Sequence, residues 1–154
     1  MREQIITGEK IRHLELDPPV CIESGTTLSE TISRMREQKQ NCVLICKEGS
    51  CIGIFTERDI LNKILGMSVD VSRPVDEFMS SNPSTLTTDD VLSEAILLMN
   101  HYGYRNVPLV NQEGKCAGLL RIRDIICYLS ELYPEEVLNV PSSDVQHFSE
   151  PDGA

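Results

Sequence analysis

Gly53-Ile54-Phe55-Thr56-Glu57-Arg58-Asp59-Ile60-Leu61 is the stretch on which the reading of this chain turns. The apolar run Ile52, Ile54, Phe55 stops at Thr56, and Glu57-Arg58-Asp59 leads into an apolar-periodic segment carrying Ile60, Leu61, Ile64 and Leu65. That is the pattern of a buried strand running into a helix, with Thr56 at the N-cap and acidic residues in the first turn. Such a corner points unpaired backbone N–H groups, a hydroxyl and a carboxylate the same way. It suits a ligand with a diol at one end and phosphate at the other. Taken alone, such a corner is usually a helix cap and nothing more. The chain contains it twice.

Working outward, Cys42 to Cys46 and Cys51 to Phe55 read as two strands of a hairpin turning at Lys47-Glu48-Gly49-Ser50. Upstream, Val20-Cys21-Ile22 is a brief strand, Ser24-Gly25-Thr26-Thr27 a turn, and Leu28, Ile32 and Met35 mark an amphipathic helix over 29–38. Residues 1–18 are polar with apolar anchors (Ile5, Ile6, Ile11, Leu14, Leu16), predict a short strand or turn, and end at Asp17-Pro18-Pro19. Downstream, Pro74 to Met79 reads as a short helical turn. The order then recurs: a strand at Ser84 to Leu86, a helix marked by Leu92, Ala95, Ile96 and Met99, strands Val107 to Val110 and Cys116 to Leu120, and a helix from Ile122 to Leu132.

Subtraction makes the repeat explicit. Leu28, Glu30 and Met35 match Leu92, Glu94 and Met99 at an offset of 64; Asn41, Gly49, Gly53, Arg58 and Asp59 match Asn106, Gly114, Gly118, Arg123 and Asp124 at 65. One residue is added near Gly103. The implied organisation is an N-terminal segment with repeat one (1–66), a connector (67–80), repeat two (81–133) and a partly disordered tail (134–154). Each β-α-β-β-α copy is too small to bury its own sheet face, so an α+β fold follows, its two repeats packed through their sheets by a pseudo-twofold.

Composition bounds what this fold can do. With 154 residues, 40% of them hydrophobic and 25% charged, the chain is an ordinary globular one. Its 24 acidic against 14 basic residues give a formal charge of −10, which argues against general nucleic-acid or anionic-membrane binding while leaving room for a local basic pocket. No apolar run is long enough to span a membrane, and the N-terminus is too polar for a signal peptide, so a cytoplasmic chain is expected. The six cysteines form no Cys-x-x-Cys pair and the three histidines share no spacing with them. Cys42 and Cys46, on one face of a strand, are expected to be small buried hydrophobes, thiolates are expected to be suppressed at Cys21, Cys42 and Cys116, and no metal site is expected; a redox or metal role for the cysteines is the lesser reading.

A tandem repeat of this layout, joined by a PVDEFMSSNPSTL connector and closing its first hairpin with Gly53-x-x-Thr56-x-x-Asp59, resembles a cystathionine-β-synthase (CBS) domain pair, the Bateman module. The resemblance covers residues 10–132. It implies two clefts between the repeats, a regulatory role, and an adenosine ligand: AMP, ADP or ATP, with S-adenosylmethionine or NAD less expected. Carried onto this sequence, the first cleft takes Ile54, Thr56 and Asp59 from repeat one, Pro83 and Ser84 from the connector strand, and Tyr104 and Arg105 from repeat two. An ionised Asp59 accepts from ribose hydroxyls, Thr56 adds a directional bond, Pro83 and Tyr104 offer surface to a purine, and Arg105 forks onto phosphate.

The second cleft would draw on Val20, Lys39, Gln40, Leu119, Arg121 and Asp124. It departs from the family pattern, because Arg121 stands where a small hydroxyl is expected, with Gln40 matching Arg105 and Lys39 matching Tyr104. Arg121 either reaches a phosphate or fills the cleft and pairs with Asp124, and this cleft is expected to be weak. No enzyme motif is present: no Gly-x-Ser-x-Gly, Walker loop, His-Glu-x-x-His or Rossmann fingerprint. A non-catalytic adenosine-ligand sensor is the first reading. A ligand-free scaffold for dimerisation and partner docking is the alternative. The family likeness implies a homodimer through the helices, with a downstream protein partner that the sequence leaves unidentified. Apolar faces at Leu28, Ile32, Met35, Leu92, Ile96 and Met99, with Ile60, Ile64, Ile125 and Tyr128, permit that dimer or else complete the monomer's core.

Overall fold

The computed structural model describes residues 8–132, so Ile5, Ile6 and the expected tail lie outside the described residues. Repeat one runs β1 (Cys21–Glu23), α1 (Leu28–Glu37), β2 (Cys42–Lys47), β3 (Ser50–Thr56) and α2 (Glu57–Lys63). The connector carries β4 (Ser80–Ser81). Repeat two runs α3 (Leu92–Tyr102), β5 (Asn106–Val110), β6 (Cys116–Arg121) and α4 (Ile122–Leu132). β1 pairs parallel with β2, and β3 and β4 follow antiparallel, giving one four-stranded sheet; β5 and β6 form a two-stranded antiparallel one. The fold is α+β, as expected.

The two halves agree down to their irregularities. β2 bulges between Ile45 and Cys46, and β5 between Leu109 and Val110, 64 residues on. One element is lost. The expected strand at Ser84 to Leu86 shrinks to a single parallel bridge between Leu86 and Leu109, the counterpart of Ile22 against Ile45. In repeat one the Leu44 N–H donates to the Val20 carbonyl (2.9 Å). Pro108 occupies the place of Leu44 and has no N–H to give. The connector instead pairs one step earlier, as β4 against Gly53 and Ile54. Gly53 makes room for that approach, since a Cβ there would lie 2.2 Å from Met79 Sδ.

A reciprocal exchange ties the halves together. Single 3-10 turns at Ile11–His13 and Val75–Glu77 sit 64 residues apart, and each docks on the repeat that follows or precedes the other. Lys10 bridges Val91 while Pro74 bridges Thr27. Glu9 O accepts from the Leu92 N–H (2.7 Å), and Arg73 O accepts from the Leu28 N–H (2.9 Å). Ile11 and Leu14 therefore complete the core of repeat two, with Leu92, Ala95, Met99, Val107, Leu120 and Ile125. Val75 completes the core of repeat one, with Ile22, Leu28, Met35, Val43, Ile45 and Phe55. The N-terminal segment, grouped with repeat one by sequence order, thus serves the other half.

β2 is buried on both faces. Val43 and Ile45 face the helices of repeat one, while Cys42, Leu44 and Cys46 meet Leu119 of β6, so the sheets pack on each other across the seam. The dimer-face expectation needs correcting. Leu28, Met35, Leu92, Met99 and Ile125 are buried within the monomer, and Ile32, Ile60, Ile64, Ile96 and Tyr128 pack against the same cores. The apolar side chains left exposed are different ones, among them Leu61, Leu65, Met67, Leu97, Tyr102, Ile122 and Ile126.

Candidate functional site

Where β3 runs into α2, the corner closes on itself as a capping box: the Thr56 hydroxyl accepts from the Asp59 N–H, and Asp59 Oδ2 accepts from the Thr56 N–H (2.9 Å) and hydroxyl (3.3 Å). Its other oxygen, Oδ1, pairs with Lys63 Nζ at 2.9 Å, and Lys63 also donates to the Phe78 carbonyl (2.7 Å). Asp59 is 7% exposed. Of its roughly four lone-pair positions three are taken, so one acceptor site on Oδ1 remains, and a second appears if the Thr56 hydroxyl turns away. Cap and ligand acceptor are therefore compatible roles for one carboxylate. The Asp59–Lys63 pair is legible in the sequence as an i,i+4 spacing.

This corner forms one wall of a cavity of about 450 Å³ between the repeats. Ile54, Thr56, Asp59, Pro83, Ser84, Tyr104 and Arg105 all line it. The loss of the Ser84 strand and the pairing of β4 put the connector, from Ser80 to Ser84, along its rim. Tyr104 stacks on Tyr102 with ring centroids 5.3 Å apart. Three further guanidinium residues line the same space, Arg58, Arg121 and Arg123, against two carboxylates, Glu57 and Asp59. A chain of formal charge −10 thus carries a cavity of the opposite sign. Ile122 and Arg123, at the start of α4, also line it, which adds the positive end of an eleven-residue helix.

Arg121 differs most from expectation. Placed by sequence in the second cleft, it lines the first cavity, at 2% exposure. Its Nη2 donates to Gln40 Oε1 (2.8 Å), while Nε and Nη1 are buried with no partner. Asp124 caps α4 through the Arg121 backbone N–H (2.8 Å) and makes no ion pair with the guanidinium among the described residues. Lys39 is corrected too. It takes the left-handed position that Gly103 takes in repeat two (φ 53° and 70°), so Tyr104 answers to Gln40 and Arg105 to Asn41; β2 and β5 align at an offset of 64, Cys42 with Asn106, and the added residue sits in the β5–β6 hairpin rather than near Gly103. Val20, Lys39, Gln40, Leu119 and Asp124 do not line this cavity. Offset arithmetic missed Arg121, because only side-chain direction decides which cleft a seam residue enters.

The cysteines behave less uniformly than expected. Cys42 is buried, which pushes its thiol up to about 12, and burial raises Cys116 as well. Cys21, expected to be suppressed, is exposed, and a hydrogen bond from Cys46 draws its thiol down to about 6. Three sulfurs, of Cys21, Cys46 and Cys116, meet at the seam. No helix among the described residues is long and apolar enough to cross a membrane.

Comparison with known proteins agrees with this architecture. The CBS domain family model matches residues 11–66 and 75–131, two stretches that begin, like the exchanged turns, 64 residues apart. A 17.7 kDa protein of Acidianus ambivalens is 26% identical over 125 residues, covering 80% of this chain and 75% of its own. Inosine-5'-monophosphate dehydrogenase of Aquifex aeolicus is 31% identical over 131 residues, which are 82% of this chain but 26% of that enzyme. For the meiotically up-regulated gene 70 protein of Schizosaccharomyces pombe the figures are 30% identity over 119 residues, 70% of this chain and 16% of that protein. Among solved structures, a CBS domain protein of Pyrobaculum aerophilum complexed with AMP superposes with a TM-score of 0.69 at 24% identity, over 75% of this chain and 88% of that one. A CBS domain pair in complex with 5'-methylthioadenosine and S-adenosyl-L-methionine gives 0.70 at 23% identity, over 78% and 98%. Two matched repeats, two cores closed by exchanged turns and a cavity along their seam make this chain a member of the CBS domain family, built as a tandem pair.

Proposed function

We propose that this protein is a regulatory, non-catalytic module that binds an adenosine nucleotide, AMP, ADP or ATP, in the cavity between its two repeats. The observation that carries the reading is the buried Arg121 guanidinium, with Nε and Nη1 unpartnered, in a cavity that also holds Arg105 and the Thr56–Asp59 pair. A buried cation with open donors is costly by itself and becomes favourable when an anion completes it. Ribose hydroxyls answer the remaining acceptor on Asp59, and a phosphate answers Arg105 and Arg121. The complexes of two other CBS proteins, one with AMP and one with 5'-methylthioadenosine and S-adenosylmethionine, share an adenosine moiety and support the same class here.

Because the walls come from both repeats, ligand binding biases how the repeats pack, and through that what they dock to. We assign the exposed Leu61, Leu65, Leu97, Ile122 and Ile126 to a homodimer contact through the helices. The same exposed residues favour the second reading, a dimerisation and docking scaffold that needs no ligand. Calorimetric titration with AMP, ADP, ATP, S-adenosylmethionine and NAD separates the two. The sensor reading expects a nucleotide to bind in the micromolar range, with Asp59→Asn and Arg105→Ala each weakening it about tenfold or more. No heat with any of the five at millimolar concentration leaves the scaffold standing.

A further inference from the structure

The thiol group at the seam is separate from the nucleotide cavity, since none of its members lines that space. Cys21 of β1, Cys46 of β2 and Cys116 of β6 hold their Sγ atoms within 4.8 Å of one another, and Cys46 Sγ lies 2.8 Å from Cys116 Sγ. Cys51 of β3 packs against the same cluster. Backbone contacts fix this placement. Cys21 and Cys46 lie on neighbouring parallel strands, with Cys21 beside Leu44 and Glu23 beside Cys46. Cys116 comes from the other repeat, its N–H donating to Gly49 O (2.8 Å), while Lys115 reaches across to Glu48 O (2.7 Å).

Three sulfurs converging without a carboxylate or imidazole among them form a soft donor set, wrong for Mg²⁺ or Ca²⁺ and right for a thiophilic d¹⁰ cation. Metal–sulfur bonds of about 2.3 Å put the sulfurs of a tetrahedral thiolate site roughly 3.8 Å apart. The three sulfurs, all within 4.8 Å of one another, bracket that spacing, with the Cys46–Cys116 pair opening from 2.8 Å as the cation enters between them. Leu44, Leu119 and Ile54 surround the group with apolar atoms, which shields metal–sulfur bonds from water. Cys21 is exposed and gives a cation its way in.

We propose that Cys21, Cys46 and Cys116 form a three-thiolate site for a soft d¹⁰ cation, Zn²⁺ or Cu⁺, with Cys51 or a water completing the shell, so that the metal clasps the two repeats together. Each ligating thiol gives its proton to solvent on binding, and no electron is transferred. The two cations share this donor chemistry and differ in the number of ligands they need: three sulfurs suffice for Cu⁺, while Zn²⁺ takes the fourth position.

The test uses the whole protein, fully reduced, stripped with chelator and kept free of oxygen. Titration with Co²⁺, as a coloured stand-in for Zn²⁺, is expected to give an intense thiolate charge-transfer band that saturates at one equivalent and is displaced by Zn²⁺. Competition of Cu⁺ against a chromophoric chelator reports the other cation. Cys21→Ser and Cys116→Ser should each weaken uptake of the preferred cation about 100-fold, whereas Cys127→Ser, on the exposed face of α4, should leave it unchanged. Cys21 is exposed, so circular dichroism of Cys21→Ser is expected to match the parent, and unaltered calorimetry with nucleotide keeps this question apart from the cavity. Absence of stoichiometric uptake of either cation, uptake indifferent to Cys21→Ser and Cys116→Ser, or a Cys46–Cys116 disulfide forming in air in a protein that takes up neither cation would each overturn the proposal.

Discussion

At the scale of single residues, Arg121 separates stability from binding. A buried guanidinium with two unpaired nitrogens opposes folding of the empty protein, and Gln40, half-buried, can turn to water once its donor is gone. Arg121→Met is therefore expected to raise the stability of the ligand-free protein by about 1 kcal/mol while weakening a nucleoside phosphate about tenfold or more. Chemical denaturation and calorimetry on the same sample read both; a variant that loses stability and keeps affinity would show that the side chain is only packing. Asp76 carries a second prediction. Its carboxylate is pushed up by burial, but the Ser24 hydroxyl (2.5 Å) and Gly25 N–H (2.7 Å) outweigh that and hold it below the usual range. A folded pKa below the unfolded one contributes stability that is present in full above the unfolded value near 3.9 and is lost as pH falls through the folded value. The gap between the parent and Asp76→Ala should thus be about 1 kcal/mol at pH 7 and close below about pH 4. A gap that stays constant with pH would assign it to packing.

At the scale of elements, most of the fold could be read in advance, because apolar periodicity and turn residues act locally. The strand–helix corner at Thr56, the hairpin at Glu48-Gly49 and the span of α4 all lie where the pattern puts them. What escaped was decided by partners distant in sequence. The strand at Ser84 to Leu86 fails because Pro108, on another element, has no N–H. β4 exists because Gly53 lets the connector approach. The candidate cavity divides the same way: hydroxyl, carboxylate and Arg105 were legible as motif positions, whereas the presence of Arg121 in this cavity was not. The two helix ends offer a direct check on the corrected alignment. Gly103, at φ 70° with open space around its Cα, ends α3, while Lys39 does the same for α1 at φ 53°. Gly103→Ala should cost about 1 kcal/mol and Lys39→Gly should return about half that, both by thermal unfolding. If Lys39→Gly destabilises instead, the left-handed end is not what sets the register.

At the scale of the whole molecule, the exchange of turns makes the repeats one cooperative body. Each core is closed by a residue that sequence order gives to the other half, Ile11 for repeat two and Val75 for repeat one. Ile11→Ala should therefore cost about 3 kcal/mol, and hydrogen exchange should rise in α3 and β5 before it rises in β2. Faster exchange in repeat one first would mean that the N-terminal segment belongs to the half it precedes. The same joining gives a seam ligand its leverage, since the cavity walls move only if the halves move. The most direct test of that claim is a crystal structure of the protein grown with AMP. We expect ribose hydroxyls within hydrogen-bonding distance of Asp59 and Thr56, and the phosphate within reach of Arg105 and Arg121. Nucleotide bound elsewhere on the protein, or a cavity left empty at saturating AMP while calorimetry reports binding, would contradict it.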